Sequence, residues 1–76
     1  SPEDQLQIIQ AIDQICQALA SVSEKAQRAF VLHYFEGLTH KEIAEQIGVS
    51  TKMIQKYLAT CLVQCYVLKQ EKDLFV

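Results

Sequence analysis

Cysteine side chains are the first candidates for chemistry in this chain, because thiolates are common metal ligands and nucleophiles. The chain has three cysteines, an odd number that does not form the dense even set of a secreted disulfide scaffold. Cys61 and Cys65 would share one helix face, yet the sequence has no second Cys/His pair at ligand spacing, and structural zinc usually takes four ligands. Buried free thiols are therefore predicted at Cys16, Cys61 and Cys65, without a metal or a cofactor.

The two histidines, His33 and His40, are predicted to stand alone as solvated or hydrogen-bonded side chains. The sequence offers no nucleophile, base and orienting group that could be assembled into a catalytic site. A chain of 76 residues also has little room for a cleft, because a domain of this size buries only about 60% of its unfolded surface. No catalytic residue is assigned, and enzyme activity is not expected.

The lysines are the second group of candidates, since cationic side chains bind nucleic-acid phosphates. The formal net charge of −2 at pH 7 is unfavourable for such binding, but the charge is unevenly distributed. Residues 1–20 carry three acids and no Lys or Arg, whereas residues 46–70 carry no acid and three lysines: Lys52, Lys56 and Lys69. Phosphate contacts are therefore expected in the C-terminal half, and three lysines predict weak DNA binding by this chain alone.

The composition indicates a packed all-helical domain. Half of the residues are apolar, with only two glycines and one proline. No apolar run approaches the ~20 residues of a membrane span and no signal peptide is visible, so a cytoplasmic protein without membrane insertion is expected. Residues 1–76 are predicted to form a single domain cut from a longer protein.

Residues 39–62 have the spacing of two short helices that meet across a glycine-containing turn. Thr39 and Glu42 can form a capping box that starts the first helix. Gly48 suits the left-handed conformation that ends it, and Ser50 can cap the next helix. Both helices carry apolar residues at the spacing needed to pack on each other: Ile43 and Ile47, then Ile54, Tyr57, Leu58 and Cys61. This pattern is a helix-turn-helix, whose second helix enters the DNA major groove in domains of that kind.

Two helices are predicted before this motif. The first is capped by Ser1 and runs to about Ala20, with one apolar stripe that is expected to face the core: Leu6, Ile9, Ile12, Cys16 and Leu19. After a break at residues 21–23, the second helix is predicted to open at Glu24 and close at Gly37. Its aromatic residues Phe30 and Tyr34 are expected to support the helix-turn-helix.

The last helix stays apolar on several faces after Leu58, with Cys61, Leu62, Val63, Cys65, Tyr66, Val67 and Leu68. Two alternatives account for this pattern: a partner protein covers the additional face, or the first helix covers it within the domain. Residues 69–73 are predicted to be a solvated end, and residues 74–76 to be frayed or docked. The predicted fold is an all-α, four-helix domain with a C-terminal helix-turn-helix.

Residues 26–62 resemble region 4 of bacterial sigma factors, especially the iron-uptake subgroup of the extracytoplasmic-function group, and the most characteristic run is HYFEGLTHKEIAEQIGVS. The resemblance implies a domain that reads the minus-35 promoter element and docks on the flap of the RNA polymerase beta subunit. It implies base-reading positions at Gln55, Lys56, Ala59 and Thr60. Ser50, Thr51 and Lys52 would contact the DNA backbone or flanking bases, and Lys41 would hold a phosphate.

The sequence departs from the family at positions where arginine or lysine is often found, namely Tyr57, Thr60, Leu62 and Gln64. Tight autonomous promoter binding is therefore not expected, although a domain tethered within polymerase needs less intrinsic affinity. The apolar last helix also fits members whose region 4 is gripped by an anti-sigma factor or a membrane-linked regulator.

Two other functions are considered. The first is the DNA-binding domain of a LuxR-type response regulator, whose helix-turn-helix core is similar but whose preceding helix tends to be less aromatic. The second is a helical interaction module that kept a helix-turn-helix shell and binds protein instead of DNA. The negative charge favours this module, whereas the intact cap and turn favour DNA binding.

Overall fold

The structure is a computed structural model that describes the backbone of residues 1–74 and the side chains of residues 1–71. Within that part the chain forms four helices and no strand: α1 (Pro2–Leu19), α2 (Glu24–Tyr34), α3 (His40–Ile47) and α4 (Thr51–Leu74). The predicted all-α, four-helix fold is confirmed. Residues 69–71 are exposed as predicted, while the expectations for the side chains of residues 72–76 lie outside the described residues.

Each helix begins at a serine or threonine cap. The Oγ atoms of Ser1, Ser23 and Ser50 each accept a hydrogen bond from the backbone amide three residues later, at 3.3, 3.2 and 3.1 Å. Thr39 and Glu42 form the predicted capping box, in which each side chain accepts from the other's amide, at 3.1 and 2.9 Å. One such cap stabilises a helix by typically about 1 kcal/mol, and so the helix starts are fixed by local contacts.

Helix α2 ends at Tyr34 and not at Gly37, contrary to the prediction. The amides of Phe35 and Glu36 both donate to the carbonyl of Val31, at 3.0 and 3.2 Å, so the regular helical pattern is lost before the glycine. Gly37 still turns the chain toward α3, because its φ of +74° lies in the left-handed region.

The core lies where α4 crosses the other three helices, with all of which it packs. Ile43, Ile54 and Cys61 are its completely buried large side chains, and they are joined by Leu19, Ala26, Ala29, Phe30, Ala44 and Leu58. The predicted packing of the two motif helices is thereby confirmed, with Ile47 and Tyr57 partly buried at its edge. Burial of a branched side chain stabilises by roughly 1.5–3 kcal/mol, which makes this crossing the main source of stability.

The core-facing stripe predicted for α1 is mostly wrong. Leu19 is buried, but Cys16 is exposed, and Leu6, Ile9 and Ile12 are 46–62% exposed. Helix α1 packs against α4, and its buried residues, Ala18 and Leu19, lie at its C-terminal end. The more N-terminal apolar residues of α1 therefore stay outside the core.

The aromatic support predicted from α2 is half right. Phe30 and Tyr34 are in ring contact, with centroids 4.8 Å apart. Phe30 is buried in the core, but Tyr34 is half exposed, so Phe30 alone supports the helix-turn-helix.

Helix α4 keeps an exposed apolar surface, here called the distal face, formed by Leu62, Val63, Tyr66 and Val67. Because α1 packs against α4 and these side chains stay 40–63% exposed, α1 does not cover this surface. The alternative in which the first helix buries it is wrong. Within the described residues no helix is long and apolar enough to cross a membrane.

Candidate nucleic-acid interface

The turn between α3 and α4 fixes the angle at which α4 is presented. Gly48 adopts a φ of +84°, and the amides of Gly48 and Val49 both donate to the carbonyl of Ala44, at 2.8 and 3.1 Å. Val49 is partly buried against the core and closes the turn from inside. This is the left-handed helix end predicted for a helix-turn-helix.

The first turn of α4 presents unpaired backbone donors. The amide of Met53 donates to the Ser50 hydroxyl and that of Ile54 to the Ser50 carbonyl, both at 3.1 Å. The amides of Thr51 and Lys52 precede any intrahelical acceptor, so they stay available to a ligand. Together with the positive end of the helix dipole, these donors suit a phosphate oxygen.

The outward side of α4 carries a row of side chains directly opposite the core. Successive residues of a helix are about 100° apart, so the buried Ile54, Leu58 and Cys61 define the inward direction. Over residues 51–64, the positions closest to the opposite direction form the outer row, which consists of Lys52, Lys56, Ala59 and Val63, all exposed. Gln55 and Thr60 flank this row and are also exposed. The outer row can thus enter a groove without disturbing the core.

All eight candidate DNA-binding residues are exposed. Seven of them lie on α4 or its cap, namely Ser50, Thr51, Lys52, Gln55, Lys56, Ala59 and Thr60, and the eighth, Lys41, lies in the first turn of α3. Val63 continues the outer row beyond Ala59 and is also part of the distal face, and it was not among the predicted residues. The 100° helical period counted from Ile54 and Leu58 could have identified it.

The lysines of this region are not engaged by acids of the protein. Among side chains 1–71 the ion pair found joins the N-terminal amino group to Asp4, at 3.8 Å, and it involves no lysine. Glu42, the acid nearest in sequence to Lys41, accepts from the Thr39 amide, and this hydrogen bond lowers the pKa of its carboxyl group. Lys41, Lys52 and Lys56 are thus available to external anions.

The cysteines lie apart from this surface. Cys61 is buried, its Sγ donates to the Ala26 carbonyl at 3.5 Å, and Cys65 is half buried. Desolvation raises the pKa of both thiols, and proximity to Cys65 raises that of Cys61 further. The prediction of free thiols is confirmed for the three described cysteines, but Cys16 is exposed and not buried.

The histidines are not isolated, contrary to the prediction. The rings of His33 and His40 have centroids 4.9 Å apart, although seven residues and a helix boundary separate them. His33 is hydrogen-bonded as expected, with its Nδ1 atom 2.8 Å from the carbonyl oxygen of Leu38. Among side chains 1–71 no group of three or more His, Cys, Asp and Glu residues is arranged to hold a metal ion.

A capped helix, a left-handed glycine turn and a second helix with an exposed lysine row define a DNA-binding helix-turn-helix domain. The chain belongs to the family described as "Sigma-70, region 4", whose match covers residues 12–65. It is also 35% identical over 72 residues to the ferric citrate uptake sigma factor FecI of Escherichia coli (strain K12). This agrees with the predicted iron-uptake-like subgroup and does not favour the LuxR-type alternative.

That alignment covers 95% of this chain and 40% of the relative, so the chain spans less than half of the length of the sigma factor it matches. No solved structure gave a significant match.

Proposed function

We propose that this chain is the promoter-recognition domain of a longer sigma factor, in which α4 reads the minus-35 element in the major groove during transcription initiation. The observation that carries the proposal is the outer row of α4, where Lys52 and Lys56 lie opposite the buried Ile54 and Leu58. The family membership and the 35% identity to a sigma factor support it.

The residue roles follow from chemistry and position along α4. Gln55 can pair with adenine and Lys56 with guanine, since these side chains match the acceptor and donor patterns of the base edges. Ala59 and Thr60 carry methyl groups that can contact thymine. Ser50, Thr51 and Lys52 surround the open amides of the first turn and would bind the DNA backbone, as would Lys41 at the start of α3.

Protein partners are part of the proposal. The outer row holds only two lysines, which give a small electrostatic contribution, so the domain depends on being held at the promoter by RNA polymerase core, with the beta flap as the contact. The distal face of α4 offers an apolar surface for such a contact, or for an anti-sigma or membrane-linked regulator.

The first experiment measures binding to a minus-35 duplex and to a scrambled duplex at several salt concentrations, with and without the isolated beta flap. Selective binding that weakens with salt and strengthens with the flap is expected. Lys52→Ala should reduce the salt slope by about one unit on both duplexes, whereas Gln55→Ala should reduce selectivity at one base pair by about 1–3 kcal/mol.

Lys69→Ala is the matched control, because it removes the same charge from the same helix about 20 Å beyond Lys56. It should leave promoter binding near that of the unmodified chain. Equal loss in Lys69→Ala and Lys52→Ala would mean that net charge, and not the outer row, determines binding. Absence of selectivity in every condition, together with tight binding to a protein, would favour the interaction module.

The second experiment tests the distal face. Tyr66→Lys places a charge on a residue that is 63% exposed, so folding should be retained. If the distal face binds the flap, this variant should lose the flap-dependent gain while keeping the binding of the isolated chain to DNA. Flap binding unchanged in Tyr66→Lys would assign the polymerase contact to another surface.

A further inference from the structure

The corner between α2 and α3 brings two imidazole rings together beside the helix-turn-helix. His33 lies one residue before the end of α2, and His40 is the first residue of α3. Both side chains are half buried, and their ring centroids are 4.9 Å apart with a 54° angle between planes. The proposed DNA contacts use neither ring.

The hydrogen bond of His33 fixes which of its nitrogens is free. The Leu38 carbonyl can only accept, so Nδ1 of His33 carries the proton in the 2.8 Å contact. Nε2 of the neutral ring then holds a lone pair. Metal-binding histidines usually have this arrangement, in which one ring nitrogen binds the metal and the N–H of the other donates to a backbone carbonyl or carboxylate, which orients the ring.

The ring separation fits two ligands on one ion. With metal–nitrogen distances of about 2.0–2.1 Å and ligand angles of about 90–110°, two imidazole centroids lie about 4.5–5.3 Å apart. The observed 4.9 Å is within this range. The described side chains give His40 no hydrogen-bond partner, so its ring can turn toward a shared ion without breaking one.

We propose that His33 and His40 form a two-histidine binding site for a divalent transition metal such as Zn²⁺ or Cu²⁺, for which neutral imidazole is a preferred ligand. Water completes the coordination, because no third His, Cys, Asp or Glu joins the pair among side chains 1–71. The positive end of the α3 dipole opposes a cation here, and the Glu42 carboxylate in the same turn offsets it. A bound ion would tie α2 to α3 and so stiffen the entry to the helix-turn-helix.

The test is titration of the whole chain with Zn²⁺ by calorimetry and with Co²⁺ by absorption spectroscopy. One ion per chain is expected, with a Co²⁺ spectrum free of thiolate charge-transfer bands. His40→Ala should weaken binding by at least about tenfold, and Cys16→Ser, which removes the exposed thiol, should leave it unchanged. Binding that survives His40→Ala, or that is lost in Cys16→Ser, overturns the proposal.

A second measurement needs no variant at the site. Substoichiometric Cu²⁺ should broaden the ring proton resonances of both histidines before those of other residues, and Zn²⁺ should raise the melting temperature of the chain. Broadening of one histidine alone, or none at all, overturns the pairing. Promoter binding is measured separately on the outer row of α4, so failure of the metal site leaves the proposed function intact.

Discussion

The glycine at the α3–α4 turn offers a quantitative test of the helix-turn-helix. Gly48 has a φ of +84°, and a Cβ atom built on it would meet no heavy atom within 4 Å. Substitution therefore introduces backbone strain without a steric clash. Replacing Gly48 with Asn, Ala or Val should destabilise the fold increasingly in that order, because Asn tolerates the left-handed region best and a β-branched residue least.

The magnitude follows from two opposing terms. A side chain in the left-handed region costs about 1–2 kcal/mol, and replacing glycine restricts the unfolded chain and returns about 0.4–1 kcal/mol. Gly48→Ala should therefore lose up to about 1.6 kcal/mol of unfolding free energy, and Gly48→Val about 2–3 kcal/mol. For a domain of this size, 1 kcal/mol lowers the melting temperature by about 4–8 °C.

Thermal unfolding followed by circular dichroism measures the stability, and duplex binding below the melting temperature measures the presentation of α4. Gly37→Ala is the matched control, since Gly37 also has a positive φ, +74°, with nothing within 4 Å of an added Cβ. It should lose similar stability without affecting DNA selectivity. Unchanged melting and unchanged binding in Gly48→Val would show that the turn does not need a left-handed residue.

Three further outcomes are expected. Ile54→Ala should lose about 2–5 kcal/mol in urea unfolding because its side chain is completely buried, whereas Leu62→Ala, at 47% exposure, should lose much less; equal losses would contradict the core assignment. Thr39→Ala should lose about 1 kcal/mol of unfolding free energy, because it removes the cap of α3. The capping box also makes the stability depend on pH, since the pKa of Glu42 is lowered in the folded state. The stability that this carboxylate contributes is complete above its unfolded pKa and disappears as the pH falls through its folded pKa. When the stability of Glu42→Gln is measured against pH, this pH-dependent loss should be absent. If the loss persists in the variant, another titrating group causes it. Gln27→Leu should lose about 1–3 kcal/mol by chemical unfolding, because the Gln27 amide donates to the Leu19 carbonyl at the end of α1 and to the Val22 carbonyl in the turn after it, at 2.7 and 3.1 Å. A variant as stable as the parent chain would mean that these hydrogen bonds add nothing.

Where side chains act on neighbours along the chain, the sequence alone was sufficient. The capping box of Thr39 and Glu42, the cap at Ser50 and the left-handed Gly48 depend on atoms within five residues of each other, so their spacing identifies them. The exposed positions of α4 follow in the same way from the helical period, once the inward side is known from Ile54.

Tertiary structure decided what each apolar or ring-bearing residue meets. The periodicity of α1 predicted Ile9 and Ile12 as core residues, but burial depends on how the helices are placed, and only the C-terminal end of α1 reaches the core. The same holds for Tyr66, whose exposure on α4 depends on the placement of α1. His33 and His40 meet because the turn between α2 and α3 brings the end of one helix against the start of the next, which the helical periods of the separate segments do not show.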